Sequence, residues 1–209
     1  MRFPLRSLYV LTDPNLSHGR SHVEIVREAI AGGAEIVQLR DKSASTRELV
    51  QIGETLRRIT HEAEVVFIVN DRVDVALAVE ADGVHLGAED MPIGHARRLM
   101  GRRIVGASVD NEREAIRAVE EGADYVAIGP IFPTTTKPDA GPVAGVDMIR
   151  RVKEAVDVPV VAIGGINSLN ARQVIEAGAD SIAVISAVVS VPDVRRAARV
   201  LTEIIKGHL

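Results

Sequence analysis

Glu121-Gly122-Ala123-Asp124-Tyr125-Val126-Ala127-Ile128-Gly129-Pro130 holds the unit from which the chain is built. Gly122 closes a helical pattern, because glycine tolerates the positive φ of a helix C-terminal turn. Tyr125 to Ile128 is a short apolar run that stops at a Gly-Pro pair, which reads as a buried strand. The same helix-to-strand junction recurs as Ala31-Gly32-Gly33-Ala34-Glu35 and Ala177-Gly178-Ala179-Asp180, and more loosely as Glu80-Ala81-Asp82-Gly83.

Outward from this unit, short apolar runs alternate with helix-period segments. Strands are expected at 7–11, 35–39, 65–69, 83–86, 104–107, 125–128, 158–163 and 181–185. Helical patterns follow at 23–31, 46–61, 72–79, 94–100, 112–120, 146–155, 169–177 and 194–205. Eight βα units argue for an α/β fold, a single (β/α)8 TIM barrel, near the lower length limit of roughly 200 residues for that fold. A doubly wound open sheet is the alternative, weakened because no Gly-x-Gly-x-x-Gly follows the first strand. No linker or composition break divides residues 1–209, so one domain is expected.

Composition narrows the function classes. The chain is 46% hydrophobic but only 2% aromatic, so its core is built from Val, Ile, Leu and Ala, as buried parallel strands require. The net charge of −4 and the lack of a basic block speak against a nucleic-acid partner. Without cysteine there is no disulfide and no thiolate nucleophile. No signal peptide and no membrane span of about 18 apolar residues are read, and a cytoplasmic location is expected. Of the 25 basic residues only four are lysine, Lys42, Lys137, Lys153 and Lys206, so each invites a reason for being an ammonium.

A barrel of this kind carries its chemistry at the C-terminal ends of the strands. After the second strand, Gln38, Arg40 and Lys42 share parity and project toward one volume if the extended conformation persists. Adjacent like charges suit an anion, phosphate first. Asn70 and Asp71 close the third strand, and Asp90 follows the fourth. Two carboxylates beside a basic phosphate site suggest Mg2+, which takes one or two carboxylates together with phosphate oxygens. Taken singly, Asp71 reads equally as a helix N-cap and Asp90 as a turn before Pro92. Ser108, ending the fifth strand, is suited either to phosphate or to capping the next helix. Gly164-Gly165 and Ile185-Ser186 end the last two strands before helical turns, where barrels often bind phosphate. His85 is the one histidine on a strand near the mouth, and reads as core residue or catalyst.

The loop Gly129-Pro130-Ile131-Phe132-Pro133-Thr134-Thr135-Thr136-Lys137 is long for an α/β connection. Its hydroxyls and ammonium suit an anionic ligand, and its length suggests a lid over the mouth.

Several ordered segments resemble the thiamine-phosphate synthase family, also called thiamine phosphate pyrophosphorylases. They include Val37-Gln38-Leu39-Arg40-Asp41-Lys42, Ile68-Val69-Asn70-Asp71, Gly83-Val84-His85-Leu86-Gly87-Ala88-Glu89-Asp90, Gly106-Ala107-Ser108, the stretch from Gly122 to Lys137, and Ala162-Ile163-Gly164-Gly165-Ile166. The resemblance implies that a hydroxymethylpyrimidine pyrophosphate and a thiazole phosphate condense to thiamine phosphate and pyrophosphate. It implies that Arg40, Lys42, Asn70, Ser108 and Lys137 hold the pyrophosphate and that Gln38 contacts the pyrimidine. It assigns Asp71 and Asp90 to Mg2+, and Thr134, Thr136, Gly165, Ile185 and Ser186 to the thiazole phosphate. Of these, Arg40, Lys42, Ser108 and Lys137 are the expected catalytic set.

Two positions depart from the family pattern. Ala88 stands where glutamine is frequent, and Asp110 stands where a histidine usually follows the serine. The missing histidine counts against a sister activity, thiazole tautomerisation. A non-catalytic phosphate-binding barrel is the third reading, disfavoured by the carboxylate pair. Small-molecule partners, no nucleic acid and no membrane are expected; the oligomeric state is open, a homo-oligomer included.

Overall fold

The computed structural model describes residues 3–136 and 141–208. Its strands are β1 (Ser7–Leu11), β2 (Ile36–Leu39), β3 (Val66–Asn70), β4 (Gly83–Leu86), β5 (Ile104–Val109), β6 (Tyr125–Ile128), β7 (Val160–Ile163) and β8 (Ser181–Val184). All are parallel and pair in chain order, and β8 pairs back onto β1 to close the barrel. The helices are α1 (His22–Ala31), α2 (Thr46–Glu62), α3 (Val73–Ala78), α4 (Ile93–Met100), α5 (Glu112–Glu120), α6 (Val146–Ala155), α7 (Ala171–Glu176), α8 (Ser186–Val189) and α9 (Val194–Lys206). The expected (β/α)8 barrel is the observed fold.

Period-two alternation sorts each strand. Val37, Leu39, Phe67, Val69 and Val84 face outward into a helix-covered core. Tyr9, Ile36, Ile68, Ile104, Tyr125 and Val161 face inward and fill the barrel. Two of the helices start on capping boxes. In each, a serine hydroxyl accepts from the glutamate N–H three residues on, and that glutamate reaches back: Ser21 with Glu24, and Ser45 with Glu48. Such a cap is worth about 1 kcal/mol.

The repeated junction has a structural cause. Asp82 Oδ2 accepts from Phe67 N–H at 2.9 Å and from Arg57 at 2.8 Å. Asp124 Oδ2 takes Val105 N–H at 2.8 Å and Arg97 at 3.1 Å. Asp180 Oδ2 takes Val160 N–H at 2.7 Å and Lys153 at 2.5 Å. Each carboxylate thus ties the strand before it to the helix leading into that strand. Glu35 plays a related part between Ser7 and Lys206. Four such clips, one per two βα units, pin the end of the barrel opposite the mouth. Lys153 and Lys206 are therefore structural ammonium groups.

Two boundaries differ from expectation in ways that bear on the site. Pairing with β6 carries β5 on through Ser108 and Val109. The seventh helix starts later than periodicity suggested, at Ala171. Asn167 Oδ1 accepts from Leu169 N–H at 2.9 Å, and Asn170 Oδ1 from Asn167 N–H at 2.8 Å. These local side-chain bonds hold a turn in competition with helix.

Candidate active site

A cavity of about 370 Å³ opens at the C-terminal ends of the strands. Gln38, Arg40, Lys42, Asn70, Asp71, Asp90, Ser108, Thr134, Thr136, Gly165, Ile185 and Ser186 all line it. Twelve of the thirteen residues picked from the sequence thus share one volume, and Lys137 lies outside the described residues. Glu89, beside Asp90, is exposed.

One wall is charged. The Arg40 guanidinium is ion-paired with Asp13, which is buried. The Lys42 ammonium lies 2.5 Å from Asp71. Asp71 has φ 62, a left-handed conformation that aspartate tolerates better than most residues. Its N–H donates to the His85 carbonyl at 2.8 Å, so β4 holds it in place. The N-cap reading fails here: Arg72 occupies the cap of α3, and no side chain satisfies that helix end. For Asp90 the turn reading holds, since its Oδ2 accepts from Gly87 N–H at 2.7 Å. Burial, and then the neighbouring Asp71 carboxyl, push the Asp90 pKa up, against the opposing pull of Gly87 N–H and Lys42.

Asp13 offsets Arg40 and Asp71 offsets Lys42, so Asp90 is a further negative charge on this wall. Two adjacent carboxylates suit a divalent cation, and oxygen donors suit Mg2+ in particular. Among the described residues no group of three or more acidic or histidine ligands exists. A pair fits a metal that draws its other ligands from substrate phosphate and water.

The opposite wall is the long loop after β6, laid over the ends of β7 and β8. Ile131 N–H donates to Ile163 O and Phe132 N–H to Gly164 O, both at 3.0 Å. Gly164 and Gly165 have φ of 96 and 67, and a Cβ on Gly165 would lie 2.6 Å from the Pro133 carbonyl. Only glycine allows the loop this close. Thr136 Oγ1 donates to Ser186 Oγ at 3.1 Å, joining the loop to the start of α8. Gly165 does not open a helix as expected, because the asparagine-held turn precedes α7.

The floor is a line of linked polar groups, buried except at Ser108. Ser108 does not cap a helix; Asn111 does, accepting from Glu114 N–H at 3.1 Å. The Ser108 hydroxyl instead meets His85 Nε2 at 2.9 Å. His85 Nδ1 lies 2.8 Å from the Tyr125 hydroxyl. His85 is both a buried, hydrogen-bonded residue and part of the cavity wall. The Gln38 amide donates to the Tyr9 hydroxyl from the far side. A Cβ on Gly106 would lie 2.1 Å from the Tyr125 ring, so the ring lies directly against β5.

Asp13, Asp110 and Glu114 also belong to this neighbourhood and were not picked from the sequence. The strand-end rule that found Asp71 applies equally to Asp13, which follows β1. Its partnership with Arg40 spans 27 residues and carries no local signal.

Fold and site together define a class: a (β/α)8 barrel whose mouth sets a cationic, carboxylate-bearing wall against a glycine- and hydroxyl-bearing one. The thiamine monophosphate synthase family model matches residues 8–188. A thiamine-phosphate synthase of Chloroflexus aurantiacus is 55% identical over 95% of this chain and 92% of its own. That of Pyrococcus furiosus is 53% identical over 97% and 96%. The solved thiamine phosphate pyrophosphorylase from Pyrococcus furiosus superimposes with a TM-score of 0.91 at 51% identity, over 97% of this chain and 96% of that one. The chain belongs to the thiamine monophosphate synthase family.

Proposed function

We propose that this barrel is a Mg2+-dependent transferase of thiamine biosynthesis, joining hydroxymethylpyrimidine pyrophosphate to thiazole phosphate. The observation that carries the reading is the facing of two unlike walls across one cavity. Lys42, Arg40, Asp71 and Asp90 stand on one side, and Thr136, Gly165 and Ser186 on the other.

The chemistry asks for charge stabilisation more than proton transfer. The C–O bond from methylene to pyrophosphate breaks, and the electron pair leaves with pyrophosphate. The thiazole nitrogen lone pair then makes the new C–N bond, and no proton is moved. Arg40, Lys42, Asn70 and Ser108, with Lys137, orient the pyrophosphate and meet the charge it gains on leaving. Asp71 and Asp90 would hold Mg2+, which when bound would take up leaving-group charge. Gln38 faces the pyrimidine. Thr134, Thr136, Gly165, Ile185 and Ser186 receive the thiazole phosphate and direct its nitrogen. The reading includes a cytoplasmic location, with small molecules as partners. Among the described residues no helix is long and apolar enough to cross a membrane.

The test mixes both substrates with Mg2+ and follows pyrophosphate release, with a chelator arm. Release only in the presence of both substrates and metal is expected. Thiazole phosphate that binds without any release would overturn the reading in favour of a binding protein.

A further inference from the structure

We propose that Tyr9, Tyr125 and His85 form a one-way hydrogen-bond relay under the cavity floor, which fixes Gln38 as an acceptor and Ser108 as a donor toward the bound pyrimidine pyrophosphate. They are positioning residues, and the inference rests on the transferase reading.

The chain of contacts is continuous. It runs from the Gln38 amide to the Tyr9 hydroxyl, then to the Tyr125 hydroxyl at 3.0 Å, to His85 Nδ1 at 2.8 Å, and from His85 Nε2 to Ser108 Oγ at 2.9 Å. It crosses the barrel from β2 to β5. A tyrosine hydroxyl has one hydrogen to give, and a neutral imidazole has one donor and one acceptor nitrogen. The direction at one end therefore sets the direction throughout. The Gln38 amide nitrogen donates to Tyr9. Tyr9 then donates to Tyr125, and Tyr125 to His85 Nδ1. His85 carries its proton on Nε2 and gives it to Ser108 Oγ. Ser108 keeps its own hydrogen for the cavity.

The amide oxygen at the Gln38 end marks what a ligand must bring. Gln38 is 1% exposed, and its Oε1 is buried without a hydrogen-bond partner among the described residues. A buried carbonyl oxygen left bare costs on the order of 1–3 kcal/mol, so it marks a place where a ligand donor is wanted. A ligand that brings a ring-bound N–H to Gln38 and an anionic oxygen to Ser108 satisfies both ends. One of opposite polarity satisfies neither.

The relay is sealed and rigid. Both tyrosines are buried, and neither lines the cavity. Burial above all raises both phenol pKa values, so the hydrogens stay in place at neutral pH. The Phe3 ring stacks on Tyr125 with centroids 4.2 Å apart. The Tyr125 ring fills the space that a side chain at Gly106 would take, so it lies packed against β5. Hydrogen bonds in such a dry, connected row reinforce one another.

A double-mutant cycle on the full chain with Mg2+ tests this. Tyr125→Phe, Ser108→Ala and the pair are compared by calorimetric affinity for inorganic pyrophosphate. Each single change is expected to weaken binding roughly five- to tenfold. The pair is expected to be no weaker than Ser108→Ala alone, because the relay acts through that hydroxyl. In 15N spectra the His85 signal is expected to leave the Nε2–H tautomer in Tyr125→Phe. Additive losses, or an unchanged tautomer, overturn the relay. Tyr9→Phe provides a second arm: a several-fold rise in KM for the pyrimidine substrate with unchanged kcat is expected, and an unchanged KM overturns the inference. Turnover by the unmodified enzyme in the same buffer separates the two ideas. If it fails, the transferase reading fails; if it succeeds while the cycle is additive, only the relay does.

Discussion

At the scale of single residues, the two aspartates that flank the cationic wall do opposite things. Asp13 gives Arg40 a buried partner, while Asp90 crowds Asp71. Asp13→Asn removes a charge and keeps the shape. It is expected to lower stability by about 1–3 kcal/mol, since one ion of a largely buried pair is left alone. The variant should then gain more thermal stability from pyrophosphate and Mg2+ than the native chain, because the anion supplies Arg40 with a new partner. Equal shifts in the two proteins would show that Arg40 does not meet the anion. Asp90→Asn is expected to act in the reverse sense. Its amide still accepts from Gly87 N–H and relieves the carboxyl repulsion. Without metal the melting temperature should rise by about 1–3 °C, while turnover is lost. A variant that melts lower than the native chain would contradict the repulsion assigned to this pair.

At the scale of elements, the junction repeat is where sequence and structure agree most closely. Gly33, Gly122 and Gly178 have φ of 100, 103 and 102, as a helix C-terminal turn demands. The looser copy keeps the geometry without the glycine: Glu80 has φ 54. A left-handed non-glycine residue costs roughly 1 kcal/mol. Glu80 is exposed, so Glu80→Gly removes that strain with little else. A rise in melting temperature of about 2–4 °C is expected, with turnover unchanged. A fall would mean that the added chain entropy of glycine outweighs the strain. The aspartate of the repeat was legible as a letter, and its role was not. Its partners, a strand N–H and a helix cation, lie 15–27 residues away and meet it only when the barrel closes. The misplaced start of the seventh helix has a local cause instead. Apolar spacing continues through 169–177, but asparagine side chains there bond locally and hold a turn.

At the scale of the whole molecule, the cavity belongs to no part of the barrel. Its lining runs from Leu11 at the end of β1 to Ser186 after β8. Ligand binding therefore stabilises the closed barrel as a unit. Pyrophosphate with Mg2+ at about 100 times its dissociation constant should add about 2.7 kcal/mol, or roughly 5–10 °C, to a single melting transition. Two transitions, with only one of them shifting, would contradict this. The Thr136–Ser186 contact anchors the long loop to the start of α8. Protease cleavage there that is equally fast with and without substrates would count against a lid.

The sequence alone determined the eight βα units, the strand ends that matter, and the family. These depend on local periodicity, turn chemistry and ordered motifs, which the chain carries in its own order. Only the tertiary structure decided which charges neutralise each other, that Ser108 serves His85 and not a helix end, and that a polar row runs beneath the floor. Hydrogen bonds and ion pairs act over about 3 Å in space, and barrel closure brings together residues 23 to 116 positions apart, such as His85 with Ser108 and Tyr9 with Tyr125.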